Sequence, residues 1–378
     1  MPTLRVDDSP AALPRQAWNR LLDASPGPTP FMRHEYLQAL HESGSAVAGT
    51  GWQPMFLSAW HGDELLAACP AYLKSHSYGE YVFDWAWAEA YHRHGLAYYP
   101  KLLVAVPFTP VPGSRLLATD ADSRALLAQG LLGLARETQA SSLHVLFGDD
   151  ADQAALAAAG CSVRQGVQFH WTAEGDESFA GFLARLQRDK RKKIQQEQRR
   201  VREAGIAFDA RTGAALTTED WDFFYRCYQL TYRAHRSKPY LTRDFFARMA
   251  AEMPEHWLMF IARRGGERVA CSLVALDPPR RAAFGRYWGT VEQVPNLHFD
   301  ACYYQPLAWC IEHGYERFEG GAQGEHKMAR GLMPTPTASS HWLAHPSFAS
   351  AVDDFLAREG EAMSGYMDEL HEHAPFKK

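Results

Sequence analysis

Cysteine is scarce and scattered in this 378-residue chain. Cys69, Cys161, Cys227, Cys271, Cys302 and Cys310 form no C-x-x-C pair, which removes the usual zinc knuckle and redox motif and leaves buried free thiols as the expectation. Long apolar runs are missing as well. No stretch approaches about 18 uncharged apolar residues, so no integral membrane segment is expected. Met1 to Asp8 lacks the basic segment and apolar run of a secretory signal, and the expected location is cytoplasmic. Neither sign of charge is in excess: 39 Lys and Arg against 44 Asp and Glu give a formal charge of −5, which offers duplex nucleic acid no global attraction. Without G-x-S-x-G there is no nucleophile elbow for a Ser-His-Asp hydrolase, and without H-E-x-x-H no helical histidine pair for a catalytic metal. No metal and no tightly bound cofactor are expected.

What is present is core-forming material, 46% hydrophobic and 12% aromatic, in a chain longer than one core of about 100–200 residues. Short apolar runs alternate with helical periodicity, so the fold class is α/β with mixed sheets, in two domains, 1–171 and 172–378. In the first, Met55 to Trp60 and Glu64 to Leu73 flank His61-Gly-Asp as a hairpin. Helices are expected over Ala86–His94, Ala121–Ala140 and Ala151–Ala159, and strands over Lys101–Val106 and Leu143–Phe147. The second opens with a basic helix, 182–204, within a helical pattern that runs from Phe179 to Glu203 and ends at Gly205. Further helices are expected over Thr218–Ala234, Thr242–Ala251 and Ala301–His313, and strands over Trp257–Ala262, Val269–Leu276 and Phe284–Gly289, with Arg317 to Glu319 the start of another. Ala68-Cys69 recurs as Ala270-Cys271 and His94-Gly95 as His313-Gly314, which points to one fold unit present twice.

Polar side chains concentrate between His298 and Arg330. Asp300 is placed to cap the helix beginning near Ala301, so it reads as a cap or as an acid. The strand ending in Glu319 runs into a glycine-rich segment through Gln323 and Gly324, where backbone can approach a ligand, and Glu325, His326, Lys327 and Arg330 follow. Glu319, Glu325, His326 and Asp300 are the candidate catalytic residues, because a carboxylate or imidazole can take a proton from an amine. Backbone N–H groups or Tyr303 can steady an oxyanion. The competing structural reading is a salt-linked turn, with Glu325 paired to Lys327 or Arg330. Arg286, His298, Tyr303, Tyr304, Gln323, Lys327 and Arg330 are candidate substrate contacts. In the first domain Lys74, His76, Tyr78, Glu80, Asp84 and Lys101 lie in polar, aromatic stretches expected to face a ligand or to form surface between the domains. Arg188, Lys192 and Arg199 approximate a stripe on the basic helix, read either as a donor-binding surface for phosphates or as a solvated face.

Four segments, Lys74 to Asp84, Tyr99 to Pro110, Asn296 to Gln305 and Phe318 to Lys327, resemble the FemAB-like family of N-acyltransferases, and the resemblance covers nearly the whole chain. It implies a tandem duplicated fold of the Gcn5-related N-acetyltransferase (GNAT) superfamily. Leu186 to Val201 resembles the basic helix that opens the second domain of Fem enzymes, which transfer amino acids from aminoacyl-tRNA onto peptidoglycan precursors. The implied activity is therefore transfer of an acyl or aminoacyl group, from acyl-CoA or aminoacyl-tRNA, to a small-molecule or peptide amine acceptor, with tRNA contact through the basic helix. Two features depart from the wider superfamily. No Q/R-x-x-G-x-G/A pyrophosphate loop lies between the strand near Val274 and the helix near Ala301, and no long coiled-coil arm follows the basic helix. The alternative function is recognition of a ligand or cell-wall precursor without catalysis, since a fold does not secure an activity.

Overall fold

Strands in this chain pair with their sequence neighbours first, and the helices between them cover the resulting sheets. The computed structural model describes residues 2–322 and 324–377; Gln323, expected as a substrate contact, lies outside the described residues. The chain forms two compact units, residues 1–166 with 336–366 and residues 167–335 with 367–378.

In the first unit, β1 (Thr3–Asp7) is followed by α1 (Arg15–Ala24), α2 (His34–Glu42) and β2 (Trp52–Pro54). Then come β3 (Phe56–His61), β4 (Glu64–Cys69), β5 (Ala71–Lys74), α3 (Trp85–Arg93) and β6 (Lys101–Val104). After β7 (Leu117–Ala118) the unit continues with α4 (Ala121–Glu137), β8 (Ser142–Leu146) and α5 (Asp150–Ala158). β1, β3 and β4 pair antiparallel. Beyond Pro70 the chain continues as β5, which pairs antiparallel with β6, and β6 pairs parallel with β8. The core lies between this sheet and α4, whose Leu127, Leu131 and Leu134 recur at helical spacing and are buried against Leu57, Leu102 and Val145.

The second unit takes up the end of β9 (Ser162–Thr172) and continues with α6 (Phe179–Arg185), α7 (Arg188–Glu203) and β10 (Ile206–Thr212). Next are α8 (Thr218–Ala234), α9 (Arg243–Glu252), β11 (Trp257–Arg264), β12 (Glu267–Asp277) and β13 (Ala282–Thr290). A helical stretch follows: α10 (Leu297–Phe299), a π-helical turn (Asp300–Tyr304) and α11 (Gln305–Glu312), then β14 (Arg317–Glu319), β15 (Met333–Leu343) and α12 (Pro346–Glu372). β10 to β13 pair antiparallel in succession, β13 pairs parallel with β14, and β14 pairs antiparallel with His170 to Thr172 of β9. In both units a run of antiparallel pairs ends in one parallel pair, β6 with β8 and β13 with β14, although the first unit's strands lie in two sheets. In each unit an antiparallel strand from the other half of the chain completes the set, because Ser339 to Leu343 of β15 pair with β8.

That exchange is why segment 336–366 belongs with the first unit, which a division into 1–171 and 172–378 does not anticipate. The helix expected over 182–204 also breaks. Leu186 is extended and bridges Phe376, while Gln187 N donates to Pro375 O at 2.8 Å and Lys377 N to Arg185 O at 2.9 Å. The C-terminal segment thus takes the backbone bonds that a continuous helix would use. Ala68-Cys69 and Ala270-Cys271 both lie on the second strand of a hairpin, β4 and β12. His94-Gly95 and His313-Gly314 do not correspond: the first pair ends α3, between β5 and β6, and the second ends α11, between β13 and β14. What they share is the left-handed glycine that commonly closes a helix.

Candidate functional site

The parallel ladder of β13 and β14 is short. It runs from Ala282 opposite Arg317 to Phe284 opposite Glu319, and past that point a cavity of about 130 Å³ opens, with Gly285, Arg286, Tyr303, Gly320 and Gly321 in its wall. The other side of β13 adds an irregularity. Leu273 pairs with Tyr287 but Val274 with Gly285, so Arg286 is the extra residue of a bulge, a device that re-aims side chains beside sites. Gly320 is needed for close approach, since a Cβ there would lie 2.6 Å from Leu332 Cδ2.

The helical stretch Leu297–Glu312 forms another wall. Its π-helical turn inserts one residue into the ladder, a feature common at functional sites, and brings Cys302 and Tyr303 to the cavity. Asp300 is therefore inside the helix with α-helical backbone angles and makes no cap bond. Its carboxylate accepts from Gln305 Nε2 at 2.9 Å, and burial raises its pKa. Tyr304 turns inward and donates to Glu197 of α7.

The segment after Gly321 supplies the ionisable groups. Lys327 is 2% exposed, donates to Gly321 O at 2.7 Å, and is lowered by burial to about 8. Arg330, also buried, donates to His326 O at 2.7 Å, lies 3.3 Å from Glu197 and stacks 3.7 Å above the Phe299 ring. His326 Nε2 lies 3.2 Å from the Tyr303 hydroxyl. Burial, then the charges of Arg330 and Lys327, lower the His326 pKa. His298 packs edge-on to Trp288 and Tyr303, and burial followed by His326, Arg330 and Lys327 takes it to about 4. Both imidazoles are therefore proton acceptors at neutral pH. Glu325 lies on the surface.

Glu319 is 4% exposed, with Arg317 Nε at 3.3 Å and His170 Nε2 at 3.8 Å. His170 is neutral, since burial and then Arg317 and Lys327 lower it to about 3, and its Nε2 is 3.1 Å from Gln168 Oε1. Arg286, His298 and Tyr303 line the cavity, and Glu319, His326, Lys327 and Arg330 form a cluster beside it, His326 meeting the Tyr303 hydroxyl and Lys327 donating to Gly321 O. Glu197, His170 and Cys302 belong to it and went unnoticed in the sequence. The available signal was Glu197's place in the buried stripe Ile194, Glu197, Val201 of a helix otherwise basic.

In the first unit the parallel ladder of β6 and β8 ends at Val104 and Val145, and Arg115 lies beside the end of β8. Fully buried, it donates from Nε to Leu146 O at 3.0 Å and from Nη1 to Gly113 O at 3.0 Å, and also to Val111 O. The candidate ligand contacts of this unit close on one another. Lys101 donates to Ser77 and Glu80, each at 2.7 Å, and to Asp84. Lys74 lies 3.8 Å from Glu80 and 3.5 Å above the Trp52 ring. Burial raises Glu80 to about 7 and lowers Lys74 to about 7. At Lys101 burial opposes the charge, and Glu80 and Asp84 more than reverse it. These four groups hold the Ser75 to Asp84 segment from beneath, while His76 and Tyr78 stack edge-on above it, Tyr78 being 57% exposed.

Arg188, Lys192 and Arg199 are exposed on α7, with Ile194, Glu197 and Val201 buried behind them. Among the described residues, no group of three or more His, Cys, Asp or Glu is arranged to hold a metal ion, and no helix is long and apolar enough to cross a membrane.

Three solved structures are similar over nearly their full length. L-PGS from Bacillus licheniformis is 12% identical with a TM-score of 0.56, covering 93% of this chain and 99% of its own. The C-terminal domain of a putative lysylphosphatidylglycerol synthetase from Agrobacterium fabrum is 10% identical, with a TM-score of 0.55 and coverage of 90% and 95%. FemX is 10% identical, with a TM-score of 0.53 and coverage of 90% and 98%. At these identities the likeness shows the fold alone. No curated protein matches in sequence. Residues 9–378 match the FemAB-like family, described as peptidoglycan biosynthesis/recognition, and the chain belongs to that family.

Proposed function

We propose that this protein is an N-acyltransferase built on a tandem duplicated GNAT-like fold, moving an acyl or aminoacyl group from an activated donor to an amine. One observation carries the reading: past the short parallel ladder of the second unit a cavity opens that is lined by glycine and ionisable groups. Where two strands part, their N–H and C=O groups are left to bind an extended donor, and a donor carbonyl held there meets fixed dipoles. The amine nitrogen attacks that carbonyl carbon; the new C–N bond forms, the C–O or C–S bond to the carrier breaks, and the amine proton leaves. His326 and Glu319 are the candidate bases. The Tyr303 hydroxyl, beside His326 Nε2, is placed to give a proton to the departing alkoxide or thiolate.

Of the two donors, aminoacyl-tRNA suits these residues better than acyl-CoA. Segment 291–296 contains no glycine, and its Glu292 carboxylate is tied to Arg264, so it offers a diphosphate little. The exposed Arg188, Lys192 and Arg199 offer phosphates a basic surface. Peptidoglycan precursors are one acceptor class consistent with the family. The test is incubation of the purified protein with aminoacyl-tRNA and acyl-CoA panels and peptide amines, with products read by mass spectrometry. Transfer that falls about 100-fold or more in His326→Ala or Glu319→Gln while folding persists supports the reading. Absence of transfer from every donor, with the folded protein still binding acceptor, favours recognition without catalysis.

A further inference from the structure

A second cavity of the same unit, about 510 Å³, lies at the C-terminal end of α8 and the end of β13. Trp288 and His298 line both it and the gap described above, and their rings meet edge to face with centroids 5.5 Å apart. The two spaces therefore adjoin across these two rings.

Several polar groups in this lining are already committed to the protein. Thr231 Oγ1 donates to Trp288 O at 2.8 Å, Thr290 Oγ1 to Val269 O at 3.0 Å, and Glu292 pairs with Arg264. The lining holds no Lys or Arg. The Trp288 indole, Leu230, Ala234, Val291, Val294 and Leu297 supply its apolar surface. The lining's other polar side chains are His235, Gln293 and His298, so an anion entering here would find no Lys or Arg to replace its water, whereas an apolar group can lie against the indole and the aliphatic side chains.

We infer that this cavity is a binding site for an uncharged apolar group, an aliphatic chain or unsubstituted aromatic ring, carried by the substrate whose reacting end occupies the adjoining gap. The inference rests on the proposed reaction only in calling that molecule a substrate. The same chemistry can belong to the amine acceptor or to the acyl donor, and binding separates the two.

The full chain is titrated calorimetrically with n-alkylamines from propyl to octyl and, separately, with N-acetylcysteamine thioesters of matching acyl length, no co-substrate being present. In one of the two series affinity rises about fourfold per methylene until the cavity is filled. Val294→Trp and Ala234→Phe, which fill the cavity from two sides, each abolish the dependence on length, and circular dichroism checks their folding. Flat affinity in both series overturns the inference, as does a dependence that survives in a folded filling variant. Because no transfer is measured, length-dependent binding by a protein that transfers nothing sinks the proposed reaction alone, and transfer without length dependence sinks this inference alone.

Discussion

Arg330 and Glu197 meet 3.3 Å apart, both buried, so the carboxylate on the inner face of a basic helix holds the end of the loop that carries His326. Breaking a buried pair from one side strands the other charge. Glu197→Ala is expected to cost about 3–5 kcal/mol. Glu197→Gln costs less, because the amide oxygen still accepts from Tyr304. Urea denaturation of both variants checks the order, and equal losses contradict it.

Lys327 gives a pH dependence of defined sign. Its pKa is lowered from 10.5 to about 8 on folding, so between those values the unfolded chain binds more protons and stability rises with pH. Below pH 8 that contribution is absent; above 10.5 it is complete, on the order of 3 kcal/mol. The stability of Lys327→Met relative to the parent should therefore fall as pH rises across this window. Parallel denaturation curves at pH 7, 8.5 and 10 test it, and a constant difference would sink the argument.

The two buried lysines of the first unit should respond unequally. Lys101→Met leaves Glu80 and Asp84 buried without their main cation and is expected to cost about 3–5 kcal/mol. Lys74, 3.8 Å from Glu80 and resting on Trp52, is lowered by burial to about 7, so its charge is only weakly held. Lys74→Met should be milder by at least about 2 kcal/mol; thermal unfolding with calorimetry decides.

Gly289 touches α8 directly, and a Cβ there would fall 2.3 Å from Cys227 O. Gly289→Ala must push α8 off β13, at a cost of about 1–3 kcal/mol. It should also change the cavity at the α8 end, seen as altered alkylamine or thioester affinity in whichever series binds. Unchanged stability would mean the helix moves freely there.

Local order was legible because periodicity and breakers encode it. The sequence-based bounds of α8 agree with the structure residue for residue, and β14 starts at Arg317 as expected, each fixed by its own caps or glycines. The break at Leu186 was not, because the residues that take its backbone bonds, Pro375 to Lys377, lie at the far end of the chain. The same holds for the site. Glycines and charges around Glu319 and His326 could be read from spacing, but Glu197 and His170 enter through tertiary pairing and carry no local motif. Lys74, Glu80, Asp84 and Lys101 look alike in sequence whether they face a ligand or one another. Only their burial in the fold distinguishes the two.

The exchanged strand β15 sets an order of events during synthesis. Leu146 leaves the ribosome well before Ser339, its partner in the ladder. At about 5–20 residues per second the outer edge of β8 stays unpaired for roughly 10–40 s, with its N–H and C=O groups available to any other strand. A fragment ending at residue 171 would keep that edge open permanently. Aggregation of such a fragment, and its rescue by a separately supplied peptide spanning β15, follow from where the strand is encoded.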